Sequence, residues 1–445
     1  MKKIAILVFF TVGFFVHVWA CTGLIAGKQA TVDGSVLVTY SADSHTLYGA
    51  LTSSPAADWP KGSMRSIVEW DTNKPLGEIE QVEHTYAVMG NMNEHQLTVV
   101  ESTWGGRPEL VDTTGIIDYG SLMQLALERA KTAREAIKVM TGLVKKYGYY
   151  SSGESFTIAD PNEAWILDLI GKGPGRRGAV WVAVRIPDDC IAGHANYPRI
   201  HKIPMDDKEN CLYSPDVISF AREMGYFDGL NKDFSFARAY SPADFGALRA
   251  CDARVWSFFR KYDSTMDNYL PYVNGESAEP FPLYVKPSRK LSVQDMKEAM
   301  RDHFEDTPFD MTQDVGAGPF KVPYRFRPMS FEVDGKSYCM ERAIATQQTG
   351  FTLVGQMRNW LPDPVGGVLW FGVDDANTCV YIPMYCGITQ VPECFSPENG
   401  SMYDFSWTSA FWIHNWVANM AYARRYSQSP VGCRNLVESP SAGGR

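Results

Sequence analysis

The hydrophobic pattern divides the chain at one point. Residues 4–19 are apolar apart from Thr11, Gly13 and His17, follow the basic start Met1-Lys2-Lys3, and run into Val18-Trp19-Ala20, with small residues at 18 and 20. A run of this length, ending in a cleavage pattern, predicts a removed export signal over residues 1–20 rather than a spanning helix. Cleavage there makes Cys21 the first residue of the mature chain.

Beyond that point the pattern predicts strands at both ends and helices between them. Residues 22–26 are apolar, Asp33-Gly34 is a turn dipeptide, and 35–40 centre on Val36, Leu37 and Val38. This reads as a β-hairpin with Cys21 at the open end of its first strand and Asp43 returning toward it. Residues 55–85 read as loop, with Pro55, Pro60, Gly62 and Pro75. Strands are expected at 85–90 and 96–101, then helices at 118–131 and 132–147, the second with a capping box from Thr132 and Glu135 and a stop at Gly148. Three strands follow at 155–159, 164–170 and 179–186, with a Gly-rich loop at 171–178 that lacks the ending of a phosphate-binding loop. Helices are expected at 247–261, 292–304 and 407–425, strands at 344–354, 367–373 and 378–383, and a disordered tail at 438–445. Strand clusters around a helical middle, without βαβ alternation or internal repeat, predict one α+β domain over 21–437.

Composition narrows the function classes. Of 445 residues, 45% are hydrophobic and 21% charged, which are globular values. The net charge of −9, with no basic stripe, argues against a nucleic-acid partner. No second apolar run is long enough for stable membrane insertion, and homo-oligomerisation stays open. None of the nine cysteines forms a Cys-x-x-Cys pair. Export permits a local bridge among Cys379, Cys386 and Cys394, and buried free thiols are the competing reading. No His-Glu-x-x-His motif is present; His194 and His201 flank a proline in a loop and read as structural, so no metal is expected.

The junction carries the candidate chemistry. A thiol is a weak nucleophile until deprotonated. An N-terminal cysteine carries beside it an α-amine, whose ordinary pKa of about 7.7–8.0 lets it accept that proton at neutral pH. Two readings compete: a lipid-anchored cysteine, although Trp19 is bulky for a lipid-attachment box, and a plain residue after a signal. Asp43 is placed to hold the amine, the bland alternative being a solvated loop acid. Asn196, in Ala195-Asn196-Tyr197-Pro198, is either an oxyanion donor or a turn former.

Several stretches in order resemble one family. They are Cys21-Thr22 with Ala26-Gly27-Lys28, residues 30–35, Asp43, Gly90-Asn91-Met92-Asn93-Glu94-His95, Glu101-Ser102-Thr103-Trp104, 154–160 with Glu163-Ala164-Trp165, Ala195-Asn196, and Gly366-Gly367-Val368-Leu369-Trp370. Together they resemble the PepD-type dipeptidases, the cysteine branch of the N-terminal-nucleophile hydrolases, to which secernins are related. The resemblance implies a four-layer αββα sandwich of two antiparallel sheets that hydrolyses dipeptides and other short peptides, without metal or cofactor. It implies Cys21 as nucleophile with its amine as base, Asp43 orienting that amine, Asn196 at the oxyanion, and Asn93 and Thr103 in the segment that lines the substrate. The Lys-Lys start and the export signal point to a bacterial protein sent to the periplasm or beyond, with lipid anchoring left open. Bile-salt or penicillin acylase-like amide hydrolysis, or a non-catalytic binding role, remain as alternatives. In one departure, members often carry Arg where Tyr40 stands; Arg358 is a candidate substitute.

Overall fold

The computed structural model describes residues 21–325 and 330–423. The expected signal, the expected tail and Cys433 lie outside the described residues. Two large antiparallel sheets organise the fold. Strand β1 (Thr22–Ala26) pairs with β2 (Val36–Asp43) in the expected hairpin, Thr22 opposite Ser41. Strands β3 (Thr98–Trp104), β4 (Gly153–Ala159), β5 (Ala164–Gly171) and β6 (Ala179–Ile186) form a meander. It is the core of an eight-stranded sheet that adds Cys211–Tyr213 at one edge and Met92–Asn93, Val88–Met89 and Ser53–Ser54 at the other. The seven-stranded sheet runs Tyr284–Val285, β7 (Ile191–His194), β1, β2, β8 (Thr349–Met357), β9 (Val368–Val373), Ile382–Tyr385. Its central position places β1, and Cys21 before it, inside the molecule.

Side chains alternate across a strand, and here both faces are covered. In β1, Ile25 points to the core between the sheets, while Leu24 and Ala26 point to the core on the outer face. Val36, Val38 and Tyr40 of β2 share the inner core and Leu37 the outer one. Across the gap, Val100 and Ile166 face inward, whereas Val99, Trp165 and Leu167 meet helices α1 (Tyr119–Arg129) and α2 (Ala133–Tyr147). Helices α3 (Ala253–Arg260) and α4 (Val293–Ala299) cover the seven-stranded sheet. Each fully buried aliphatic side chain in these layers contributes roughly 1.5–3 kcal/mol.

Local signals explain where elements stop. Asp118 caps α1 by accepting from the Ser121 amide, and Thr132 caps α2 by accepting from Glu135. The expected box closes one residue early, since the Glu135 carboxylate takes the amide of Lys131. Several expectations are corrected. The loop at 55–85 contains a hairpin, Met64–Val68 with Pro75–Glu80, turned at Asn73 (φ 58°). The strand expected at 85–90 breaks into two-residue pieces, His84–Thr85 and Val88–Met89. The helix expected at 247–261 begins with π-helical turns at Ala247–Asp252 before α3, and the one from 292 ends at Ala299. The last helix, α5, spans Ala410–Tyr422. The strands expected at 344–354 and 378–383 are Thr349–Met357 and Ile382–Tyr385. All eight cysteines among the described residues are free thiols, Cys379 and Cys386 buried and Cys394 exposed. Also among them, no helix is long and apolar enough to cross a membrane, and no three His, Cys, Asp or Glu side chains gather where they could hold a metal ion.

Candidate active site

Cys21 is 4% exposed and forms part of the wall of a cavity of about 350 Å³. Tyr40 on β2 presents its hydroxyl 3.6 Å from the sulfur and donates to the Glu101 carboxylate of β3. Burial raises the thiol well above its ordinary value, and the charges of Glu101 and Asp43 push the same way. The Asp43 backbone amide and the Tyr40 hydroxyl act against this by bonding the sulfur. A thiol so placed needs a base.

Asp43 closes β2 and lines the same cavity at 1% exposure, so the solvated loop acid is corrected. Its carboxylate accepts from Arg342 (2.6 Å), Thr349 (2.6 Å) and Ser41 (3.1 Å). Arg358 is no substitute for a cation near the sulfur. It lies at the far end of β8, past Met357 opposite Val36, and its guanidinium is spent on the carbonyls of Gly366 and Val365.

Asn196 and Thr103 come together, but behind Cys21. Asn196 sits at φ 57°, donates its side-chain amide to the Thr103 carbonyl at 2.6 Å, and accepts at Oδ1 from Arg254. It borders a second cavity, of about 480 Å³, rather than the one that Cys21 lines. The Thr103 hydroxyl donates to Glu154 on β4. Burial and the neighbouring Glu101 hold the Glu154 carboxyl well above the usual range. Asn93 is not brought to the site. Fully buried, it donates to the carbonyls of Leu127 and Ala130 at the end of α1 and accepts from the amides of His95 and Leu97. Its neighbours Gly90 and Asn91 line the Cys21 cavity instead.

The structure adds residues that the sequence did not single out. Arg254, on α3 and 1% exposed, uses all five N–H groups: on Ala250 O, Cys21 O, Thr22 Oγ1, Ala195 O and Asn196 Oδ1. It thereby fixes the backbone of Cys21 and the side chain of Asn196 to one point. Its signal was an arginine inside the apolar stretch Val255-Trp256, Phe258-Phe259. Asp71 and Tyr119, hydrogen-bonded at 2.8 Å, complete the wall beside Glu101. His194 is a pin between the sheets, bonded to Ser102 (2.6 Å) and Thr157 (2.8 Å), and burial pulls it down to about 3, so it stays neutral. Gly23 is required beside it, because a Cβ there would stand 2.9 Å from the imidazole.

The model of Peptidase family C69 matches residues 20–435. A probable dipeptidase of Salmonella dublin is 27% identical over 396 residues, covering 83% of this chain and 81% of its own. A probable dipeptidase of Latilactobacillus sakei and dipeptidase A of Lactobacillus helveticus are each 24% identical over 424 residues, covering 90% of this chain and 80% and 81% of theirs. The match spans both sheets and every residue of the site just described, and the chain belongs to peptidase family C69.

Proposed function

We propose that this chain is an exported cysteine-type dipeptidase with Cys21 as the N-terminal nucleophile. The observation that carries the reading is Cys21 itself, heading strand β1 and bordering a cavity within a family-wide match whose curated relatives are named dipeptidases. The order helices, sheet, sheet, helices supports an αββα sandwich of the N-terminal-nucleophile type. Removal of residues 1–20 leaves the Cys21 amine free. That amine takes the thiol proton, and the sulfur adds to the peptide carbonyl. Asp43 orients the amine, since a carboxylate with two lone pairs per oxygen accepts it beside Arg342 and Thr349. Asn196 borders the other cavity, so it serves the oxyanion only if its remaining amide N–H reaches past Cys21 from the anchor made by Thr103 and Arg254. The amine then protonates the leaving nitrogen, and water releases the thioester. Asn93 takes no part, its hydrogen bonds being spent inside the fold. Burial of Cys21 against Tyr40 speaks against a lipid anchor on the sulfur.

The test joins processing to turnover. The intact mass and N-terminal sequence of the exported protein should show an unmodified start at Cys21. Cys21→Ala should lose at least about a thousandfold in dipeptide hydrolysis with unchanged thermal unfolding, and Cys21→Ser should keep a residue of activity because the amine remains. Full turnover by purified Cys21→Ala, or a diacylglyceryl mass on Cys21, refutes the mechanism.

A further inference from the structure

Helix α5 carries apolar residues on both of its sides. Phe411, Ala418 and Tyr422 are buried and hold it to the fold. Ile413, Trp416, Val417 and Met420 recur at helical spacing on the opposite side, and all four are exposed, Met420 to 67%. The loop before the helix extends this stripe. Trp407 is likewise 67% exposed, with its ring 5.6 Å from that of Trp416 and 4.7 Å from that of Phe405, centroid to centroid. A contiguous exposed apolar stripe of this kind marks an interaction surface.

The charge around the stripe selects its partner. Residues 405–437 contain no Asp, Glu or Lys and three arginines, Arg424, Arg425 and Arg434, in a chain whose net charge is −9. Arg424 and Arg425 follow so soon after Tyr422 that they start within about 11 Å of the helix end. The nearest acid before the stripe is Asp404, whose carboxylate accepts from Ser401. A second copy seated on the same face across a two-fold axis would set arginine against arginine, with no carboxylate from this stretch to pair either. Residues 426–445 hold no Phe, Trp, Ile or Met with which to cover the rings. A lipid surface answers both features. Indole rings settle where acyl chains meet headgroups, and anionic headgroups neutralise the arginines. We propose that α5 and the loop before it dock this protein on the surface of an anionic phospholipid bilayer. At 13 residues the helix is too short to cross, so it lies in the interface. The docked face adjoins the Cys21 cavity: Tyr48, on that cavity's wall, donates to the Asn399 carbonyl and shares a hydrogen bond with the Ser409 hydroxyl at the start of α5. The docking does not depend on the reaction proposed at Cys21.

Co-sedimentation of the purified protein with large unilamellar vesicles tests this. Vesicles of equal parts phosphatidylethanolamine and phosphatidylglycerol are compared with vesicles of phosphatidylcholine alone. At low salt the anionic vesicles should bind at least about tenfold more tightly. Brominated acyl chains should quench part of the indole fluorescence of the bound protein. One variant carrying Trp407→Gln, Trp416→Gln and Met420→Gln should bind at least about a hundredfold more weakly. Its thermal unfolding should match wild type, because all three side chains are exposed. A second variant, Arg424→Gln with Arg425→Gln, should lose about thirtyfold at low salt and depend less on salt. Should the first variant prove unstable, the second carries the test. No binding to either vesicle, equal binding to both, or undiminished binding by the variants overturns the docking surface. A dimer in sedimentation velocity that wild type forms and the first variant loses, without vesicle binding, gives the face to a second copy and overturns it too.

Discussion

Two cavities, one lined by Cys21 and one bordered by Asn196 and Arg254, spend their charges in opposite ways. The larger one is lined by Arg249, Arg254, Arg325 and Arg342. Arg249 grips Glu341 with two 2.8 Å bonds, Arg342 holds Asp43, and Arg325 holds Asp314 and the Met311 carbonyl. Arg254 has no N–H left to give. The smaller cavity has two carboxylates whose bonds come from phenols. The four guanidiniums are thus bonded within the protein, whereas no lysine or arginine lines the smaller cavity among the described residues. The same contrast implies opposite effects on stability, because a saturated buried charge supports the fold and an uncompensated one costs it.

Arg254→Met is the largest expected effect. It strands five acceptors, among them the carbonyl of Cys21 and the side chain of Asn196, and should cost about 3–5 kcal/mol in urea unfolding. A variant of normal stability that had lost only substrate affinity would make Arg254 a ligand site and break the comparison. Arg342→Gln comes next. It leaves the Asp43 carboxylate buried with hydroxyl donors and no cation, and should cost about 3 kcal/mol. The double variant with Asp43→Asn should recover part of that loss, because the charge and its counter-ion leave together. Additive losses in the thermal-unfolding cycle would mean that the pair is not a unit.

How much of this was legible in the sequence follows from range. The Cys21 hairpin, the three meander strands β4 to β6 and the Thr132 cap rest on neighbours within about a turn or a hairpin of one another, and local patterning carries such contacts. The Asp43–Arg342 pair joins residues 299 apart and the Cys21–Arg254 bond residues 233 apart. Nothing in a local window encodes either. Asn93 was misplaced for the complementary reason: it lies two residues from Asn91, which lines the cavity, but its side chain is bonded to the end of α1. The hairpin of Met64–Val68 was hidden because its strands are half exposed and broken by Pro75. The helix at 247–261 was legible in extent but not in form, since it opens with π-helical turns before the α-helix that carries Arg254.

The smallest effect sharpens the comparison most. Burial raises the Asp71 carboxyl to about 6, and the hydrogen bond from Tyr119 only partly opposes this. Its folded value thus lies above the 3.8 of an unperturbed aspartate. Between those two values the folded state holds the proton more tightly than the unfolded chain, so this group's contribution falls as pH rises from about 4 to about 6. Asp71→Asn removes that titration. The variant should unfold at the wild-type temperature near pH 4 and above it at pH 7.5. The residue is exposed at the rim and solvent screens its charge, so the gain should stay below about 1 kcal/mol. Gained stability at neutral pH is the signature of a carboxylate kept at a cost to the fold. A variant less stable at pH 7.5 would place Asp71 with the saturated arginines, as a structural partner of Tyr119.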